Sequence, residues 1–511
     1  MATFAGAMIR KLFFTVVLFC AAAGAVAQSQ FGEKPRLVVG VVVDQMRWDY
    51  LSRYYDRFAP DGGLRRLIDQ GFSCNNCLIN YVPTTTAIGH TSAYTGSTPA
   101  LHGICGNNFF VDGHKVYCTR DDSVQPVGAN DDKGRMSPRL LLATTIGDQL
   151  RLHTDFRSRV IGISYKDRAA ILPAGHSANA AYWLSLKQPV QFITSTYYMA
   201  ELPQWVKQYN RLLAGNASVQ AAGSDIGLRA ECGTVITDMA IATLEGEQLG
   251  KGDDTDMLCV SYSQTDVIGH RWGTRGEHTD EAYLQLDRDL GRLLSALDSH
   301  VGEGNYLLFL TADHGAAHNW AYMQEHNLSA GPWSSSQMKQ WIGQELAAAY
   351  GDDGEYIADV IDYRIFLDWQ KIRERGRNGS ELMHRVLDLV RQREGVTFAA
   401  IFSELSTTAM PPQMRDRAIM GYHPGRSGDI IFFPRPGFYE HGSWSSPTGT
   451  THGEWNPYDT HIPCLFYGWK VAHGATSREV HITDIAPTVC QLLHIQQPNA
   501  CVGEAITEIT H

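Results

Sequence analysis

Four runs of consecutive apolar residues, rich in β-branched side chains, punctuate the chain: Leu37–Val43, Val160–Ile163, Met257–Val260 and Tyr306–Leu310. Hydrophobicity that is continuous rather than alternating means burial on both faces, as in the central strands of a parallel sheet. Between the last two runs, Ala282, Leu286, Leu290, Leu293, Leu294 and Leu297 recur at helical spacing, so one apolar stripe faces a core. Strand, amphipathic helix, strand is a βαβ crossover. The pattern predicts an α/β/α sandwich with a mostly parallel central sheet. Two stretches, about 186–256 and 319–450, read as insertions on that scaffold. The second holds helix-like Met338–Ala349 and Ser380–Arg393 and the apolar strand Ile430–Phe433, enough for a cap facing a substrate.

Polar residues follow each central strand. Asp44 comes after the first, Lys166 and Arg168 after the second, Asp266 and His270 after the third, Asp313 and His314 after the fourth. In open α/β sheets ligands bind beyond the carboxyl ends of the strands. Asp266 and His270 lie one helical turn apart if their segment begins a helix. Thr451-His452-Gly453 stands shortly before a further apolar strand, Ile462–Tyr467. Three aspartates and three histidines make a mixed oxygen and nitrogen donor set, large enough for two metals. That mixture suits zinc better than calcium or magnesium, which favour oxygen. A nucleophile is available in Thr84-Thr85-Thr86, ahead of Ala87-Ile88-Gly89-His90. A hydroxyl at a helix N-terminus sits where backbone N–H groups favour an incoming anion. A threonine run before a helix is also an ordinary N-cap, and local spacing does not choose among the three.

The chain has 511 residues, 43 Lys+Arg against 54 Asp+Glu and a net charge of −11. Such a chain lacks the broad basic surface that displaces counterions from nucleic acid, so no nucleic-acid partner is expected. Arg10 and Lys11 precede an apolar run from Leu12 to about Gly24, then Ala25-Val26-Ala27. This reads as a secretory signal peptide cut after Ala27, leaving residues 28–511 as a periplasmic or secreted chain without a membrane span. Removing Arg10 and Lys11 takes the charge to −13. Of the cysteines outside the signal, Cys105/Cys118 and Cys490/Cys501 are near enough in sequence to close short disulfide loops, Cys74-x-x-Cys77 is a weak metal or redox signal, and Cys259 and Cys464 read as buried thiols. The oligomeric state is not legible, and a monomer is compatible with the pattern.

Val41 to Met46, Pro83 to Gly96, Ala100 to Asn107, Ile163 to Arg168, Asp266 to His270, Thr311 to Gly315, Thr451 to Gly453 and Tyr458 to Pro463 together resemble the alkaline phosphatase superfamily, most closely its threonine-nucleophile, PafA-like members. The resemblance implies that Thr86 is the nucleophile. It implies one zinc held by Asp44, Asp313, His314 and the Thr86 oxygen, and a second held by Asp266, His270 and His452. Asn107, Lys166 and Arg168 would bind the phosphoryl oxygens. The implied activity is hydrolysis of small-molecule phosphate monoesters of broad specificity through a phospho-threonine. In the family setting, Lys166 and Arg168 separate monoesterases from nucleotide pyrophosphatase/phosphodiesterase relatives, because a monoester leaves more charge on its non-bridging oxygens. The alternatives are a type I phosphodiesterase on the same scaffold and a non-catalytic, metal-stabilised phosphate-binding protein. His90 and His102 are expected to pack or hydrogen-bond rather than ligate, and His318, His441 and His461 at most to support the ligands.

Overall fold

The computed structural model describes residues 34–441 and 447–510. The signal-peptide reading of residues 1–27, with Arg10, Lys11 and Cys20, lies outside them. Arg36–His511 form one compact unit, built on a ten-stranded sheet. Its strands are β1 (Leu37–Val43), β2 (Phe72–Cys74), β3 (Pro126–Val127), β4 (Val160–Ser164), β5 (Ala180–Ser185), β6 (Gln191–Ser195), β7 (Asp256–Tyr262), β8 (Tyr306–Thr311), β9 (Cys464–Gly468) and β10 (Gly474–Thr476), in the spatial order β10-β2-β9-β8-β1-β7-β4-β5-β6-β3. The central five, β8-β1-β7-β4-β5, run parallel, and β9 and β6 join them antiparallel at either side. Every residue of these five strands is buried, which is what their unbroken hydrophobicity predicts. The fold is α/β with a large, mostly parallel central sheet.

The helices that position the site are α1 (Thr86–Thr95), α2 (Asp167–Ala174), α3 (Gln264–Trp272) and α4 (Glu277–His300). Helix α4 buries Ala282, Leu286, Leu290, Leu293, Leu294 and Leu297, the expected stripe. The crossover it makes differs in one respect from a simple βαβ unit: β7 and β8 flank β1 rather than each other. The earlier N-terminal strand has been inserted between them, so Asp44, Asp266 and Asp313 issue from three adjacent strands at one edge.

The stretch expected as a first insertion, 186–256, is corrected in part. It contributes β6 to the central sheet, and its helix Glu231–Gly246 packs on α4, so it is scaffold rather than ornament. Within 319–450 the strands Ile357–Ile361, Arg364–Leu367, Ile430–Pro434 and Val396–Ile401 form a separate four-stranded sheet. With the helices Ser335–Tyr350 and Gly379–Gln392 it has its own core, including Met338, Ile342, Ile365, Val386 and Phe432. The nine described cysteines are all free, so the short loops Cys105/Cys118 and Cys490/Cys501 are not closed. Cys105 and Cys118 instead fill a small apolar cluster with Ala87, Ile104 and Phe109, behaving as compact hydrophobes.

Candidate active site

The carboxyl ends of the parallel strands converge on one buried, charged group. Asp44 follows β1, Asp313 and His314 follow β8, and all three are fully buried, with ligand atoms within 4.8 Å of one another. His314 Nε2 lies 3.6 Å from Asp44 Oδ1 and 3.4 Å from Asp313 Oδ2. Beyond β7, helix α3 presents Asp266 and His270 one turn apart, with Nε2 to Oδ1 at 3.1 Å. His452 arrives from the chain after the cap, its Nε2 3.6 Å from Asp266 Oδ1. Asp266, His314 and His452 form a second group within 4.8 Å, and the His314 and His452 rings stack at 3.4 Å. The two groups thus adjoin, with His314 between them.

Each histidine is oriented in the same way. Nδ1 of His314 faces the carbonyl of Gly315 at 2.9 Å, that of His270 the carbonyl of Thr450 at 2.9 Å, and that of His452 the carbonyl of Thr84 at 2.6 Å. A carbonyl accepts only from N–H, so Nδ1 carries the proton and the Nε2 lone pair is turned into the cluster. This is how metal-ligating histidines are fixed. Burial lowers the basicity of His314, and burial together with His314 lowers that of His452 well below the ordinary imidazole range, so both rings are neutral donors.

Thr86 is the first residue of α1, and Thr85 is its N-cap without a capping side-chain bond. Gly89 lets the helix come close: a Cβ there would stand 2.1 Å from the Asp313 carbonyl oxygen. Four buried atoms in this corner have no hydrogen-bond partner: Thr86 Oγ1, Asp44 Oδ1, Asp313 Oδ2 and His314 Nε2. Leaving buried polar atoms unpaired costs about 1–3 kcal/mol each. Here they come from two carboxylates and an imidazole whose ligand atoms lie within 4.8 Å of one another, and from the hydroxyl that opens α1, a donor set that fits zinc.

Lys166 follows β4 and caps α2. Its Nζ donates to Asp44 Oδ2 at 2.8 Å and to Asp266 Oδ2 at 2.6 Å, joining the two groups. Burial and neighbouring Asp313 push the Asp44 carboxyl well above its usual range, against the pull of Lys166. Burial opposes ionisation of Asp266 too, but His270 and Lys166 overcome it and hold that carboxyl well below the ordinary value. Asn107 Oδ1 accepts from the Ala87 N–H at 3.1 Å. Arg168 donates to Tyr117 Oη at 3.0 Å, and its Nε has no partner.

Several contributors were not read from the sequence. Gln45, with φ of 65°, donates from its backbone to Asp313 at 3.1 Å and from its side chain to Asp266 at 2.6 Å; its place beside Asp44 was the only available signal. Tyr117 hydrogen-bonds both Arg168 and Asp167, from a hairpin that carries no motif. His90 does hydrogen-bond, as expected, to the Thr86 carbonyl at 2.9 Å and Ser261 Oγ at 2.8 Å, but it also lies 3.3 Å from Asp313 Oδ2. His102 bonds Ser92 Oγ and the Ile104 N–H. His318 bonds Thr274, His441 lies edge-on to Trp320, and His461 stacks on Trp48, away from the cluster. A cavity of about 280 Å³ opens above it. Thr85, Asn107, His270 and His452 line one side, and the cap residues Ser335, Asp362, Tyr363 and Glu440 the other.

A sequence model of the type I phosphodiesterase / nucleotide pyrophosphatase family, part of the alkaline phosphatase superfamily, matches residues 38–458, which is the class that fold and site define. A Myroides odoratus protein named calcium-transporting ATPase is 42% identical over 95% of this chain and 96% of its own. Alkaline phosphatase PafA of Elizabethkingia meningoseptica is 40% identical over 93% and 94%. The crystal structure of wild-type alkaline phosphatase PafA gives a TM-score of 0.89 at 38% identity, covering 94% of this chain and 100% of that one. A PafA variant with threonine changed to serine, and an asparagine, a lysine and an arginine to alanine, gives 0.88. The chain belongs to this superfamily, within the group that contains PafA.

Proposed function

We propose that this chain is an alkaline phosphatase that hydrolyses phosphate monoesters through a phospho-threonine at Thr86, with two zinc ions as cofactors. The observation that carries the reading is the set of four buried, unpartnered atoms from Asp44, Thr86, Asp313 and His314. Asp44, Asp313, His314 and Thr86 would hold one zinc, and Asp266, His270 and His452 the other. Bound there, zinc would supply Lewis acidity to both the attacking and the departing oxygen of an in-line displacement.

The residues of the chain do the rest. Thr86 Oγ1, at the start of α1, gives its proton to solvent hydroxide and attacks phosphorus; its bond to phosphorus forms as the ester P–O bond breaks, and the departing alkoxide takes a proton from water, which restores the hydroxide. Water then attacks the phospho-threonine, the P–Oγ bond breaks, Thr86 Oγ1 takes back a proton as the attacking water gives one up, and inorganic phosphate leaves. Asn107, whose Oδ1 is held by the Ala87 N–H at 3.1 Å, offers its amide N–H to a non-bridging oxygen. Arg168 offers its unpaired Nε–H, and Lys166 adds positive charge. Preorganised donors of this kind supply most of the catalysis in phosphoryl transfer. Support comes from the PafA variant, whose threonine, asparagine, lysine and arginine changes match Thr86, Asn107, Lys166 and Arg168 in residue type, in order, and in the threonine-to-asparagine and lysine-to-arginine spacings.

The family model's name includes phosphodiesterases, and Lys166 with Arg168 favours the monoester, whose extra charge the pair can meet. The transport activity in the name of the Myroides relative has no observation here to carry it; among the described residues no helix is long and apolar enough to cross a membrane. Export, through the signal peptide read in residues 1–27, completes the proposal. The test is kcat/KM of the zinc-loaded chain on p-nitrophenyl phosphate and on its bis-ester. The expected result is a strong monoester preference that chelator abolishes and zinc restores. A diester preference would move the activity to the phosphodiesterase branch, and turnover that survives Thr86→Ala would remove Thr86 as nucleophile.

A further inference from the structure

The cavity lined by Thr85, Asn107, His270 and His452 is closed on one side by the cap, and that side is acidic. Asp362 and Tyr363 are the two central residues of the hairpin turn joining Ile357–Ile361 to Arg364–Leu367; both have left-handed φ, 48° and 61°. Tight turns of this hand favour Asn-Gly or Asp-Gly, because a side chain at the second position is strained. A tyrosine there persists only where its surroundings hold it. The turn is wedged onto the floor of the site. A Cβ at Gly106, beside Asn107, would lie 2.9 Å from Asp362 Oδ2, and one at Gly453, beside His452, would lie 3.1 Å from the Tyr363 ring.

Glu440 completes the wall. Its backbone N–H donates to Tyr363 Oη at 3.0 Å, and its carboxylate accepts from the Ser335 N–H at 2.9 Å and Ser335 Oγ at 2.7 Å. Asp362 is paired with Arg364 at 3.2 Å, whereas Glu440 forms no ion pair among the described residues. An independent sign that this space receives a ligand comes from the opposite side. Thr85 is 2% exposed, lines the same cavity, and its Oγ1 has no hydrogen-bond partner. An enclosed hydroxyl without a partner is costly unless something arriving in the cavity engages it.

We infer that Asp362 and Glu440 form the leaving-group wall of the site, admitting neutral, hydroxylated alcohols and rejecting those that carry a second anionic group. The inference rests on the phosphomonoesterase reading. A hydroxyl on the leaving group donates to either carboxylate and accepts from Thr85 Oγ1. A carboxylate or second phosphate in the same place meets two carboxylates, only one of which has a cation beside it. Selectivity then comes from a repulsive element as much as from attraction.

Glycerol phosphate and phosphoglycerate make a matched pair of probes, differing only in a terminal CH2OH against a carboxylate. With zinc-loaded full chain, kcat/KM should favour glycerol phosphate by about tenfold or more, the order expected for one unscreened like-charge contact. Glu440→Gln should cut that ratio roughly threefold, and Glu440→Gln with Asp362→Asn should bring it near unity, chiefly by raising the phosphoglycerate value. Asp362→Asn leaves buried Arg364 bonded to the Cys105 carbonyl but without its carboxylate, which destabilises the cap, so Glu440→Lys is the second variant, expected to invert the preference. A ratio unchanged in both Glu440→Gln and Glu440→Lys overturns the inference. Turnover of p-nitrophenyl phosphate by the unsubstituted chain is read first. Its absence overturns the phosphomonoesterase reading and this one with it, whereas its presence with an unchanged ratio overturns only the leaving-group wall.

Discussion

Lys166 and the metals should compensate the same negative charge, and this has a measurable consequence. The Nζ of Lys166 lies 2.8 Å from Asp44 and 2.6 Å from Asp266, with Asp313 close behind Asp44. In chelator-treated protein, Lys166→Ala leaves three buried aspartates facing imidazoles that burial keeps neutral at His314 and His452. Each contact is an attraction of about 6 kcal/mol at an effective dielectric of 20, most of it offset by the cost of desolvating the pair. The net effect of removing one partner from a buried ion pair is about 3–5 kcal/mol. Burial and Asp313 already push Asp44 toward its neutral form, so proton uptake should bring the loss near the lower end. For a chain of this size the unfolding entropy is about 1 kcal/mol per kelvin, giving a fall in Tm of about 3–4 K. With zinc bound to the same carboxylates, the same substitution should cost less than half as much. Thermal melts of both proteins, with chelator and with zinc, complete the cycle. An equal loss in both conditions would refute the idea that lysine and metal answer the same charge, and no loss in chelator would refute the weight given to the two contacts.

Tyr117→Phe removes the hydroxyl shared by Arg168 and Asp167; monoester kcat/KM should fall about tenfold, the worth of a hydrogen bond to a charged group, with unchanged kinetics counting against a positioning role. Gly89→Ala puts a methyl 2.1 Å from the Asp313 carbonyl, where neither backbone can yield cheaply, so stability should fall by about 1–3 kcal/mol and activity more steeply, read by urea melts and steady-state rates together. His102 is fully buried, and burial lowers its pKa to about 3. The unfolded chain therefore takes up a proton as pH falls through about 6.5 while the folded chain does not, so stability is lost on acidification, by about 2 kcal/mol at pH 5 and at most about 5 kcal/mol. His102→Gln should flatten that part of the profile between pH 7 and 5, and parallel profiles would show that His102 is not its source.

What was legible in the sequence is the part where one residue type has few alternatives. Continuous Val and Leu runs have to be buried strands, and Asp44, Asp266 and Asp313 directly after three of them have to emerge at one edge. The spacing Asp266-x-x-x-His270 fixes a shared helix face, and the structure brings the two within 3.1 Å. Less legible was the strand order, because local pattern does not tell that β1 enters between β7 and β8. The extent of the first insertion is hidden for a similar reason: β6 lies one strand in from the sheet's edge, beside the two-residue β3, and its short, mixed sequence, Gln191–Ser195, carries no signal of central-sheet membership. Cysteine spacing misled because nearness in sequence says nothing of whether two thiols face each other or an apolar cluster.

The deepest difference between legible and hidden lies in how charge is handled on the two sides of the cavity. On the scaffold side every charged residue sits at a strand end or in the first turns of a helix, places that topology alone makes functional, and each ligand histidine is locked by a carbonyl from its own neighbourhood or from a segment it packs on. On the cap side Asp362 and Tyr363 come from a turn of the separate four-stranded sheet and Glu440 from a two-stranded pair, Phe438–Glu440 with Gly331–Trp333, and they reach the site because the turn docks with Tyr363 against Gly453 and Asp362 against Gly106. Their position depends on how the scaffold core and the cap core are set against each other, Val82 of the scaffold packing with Phe402, Ile431 and Phe433 of the cap, and nothing in the local pattern of either core encodes that. The chemistry of such a site can therefore be read from strand ends while its choice of leaving group cannot. Changes in the cap should move selectivity among monoesters without moving the ligand set, because no ligand of either proposed zinc belongs to the cap's own sheet.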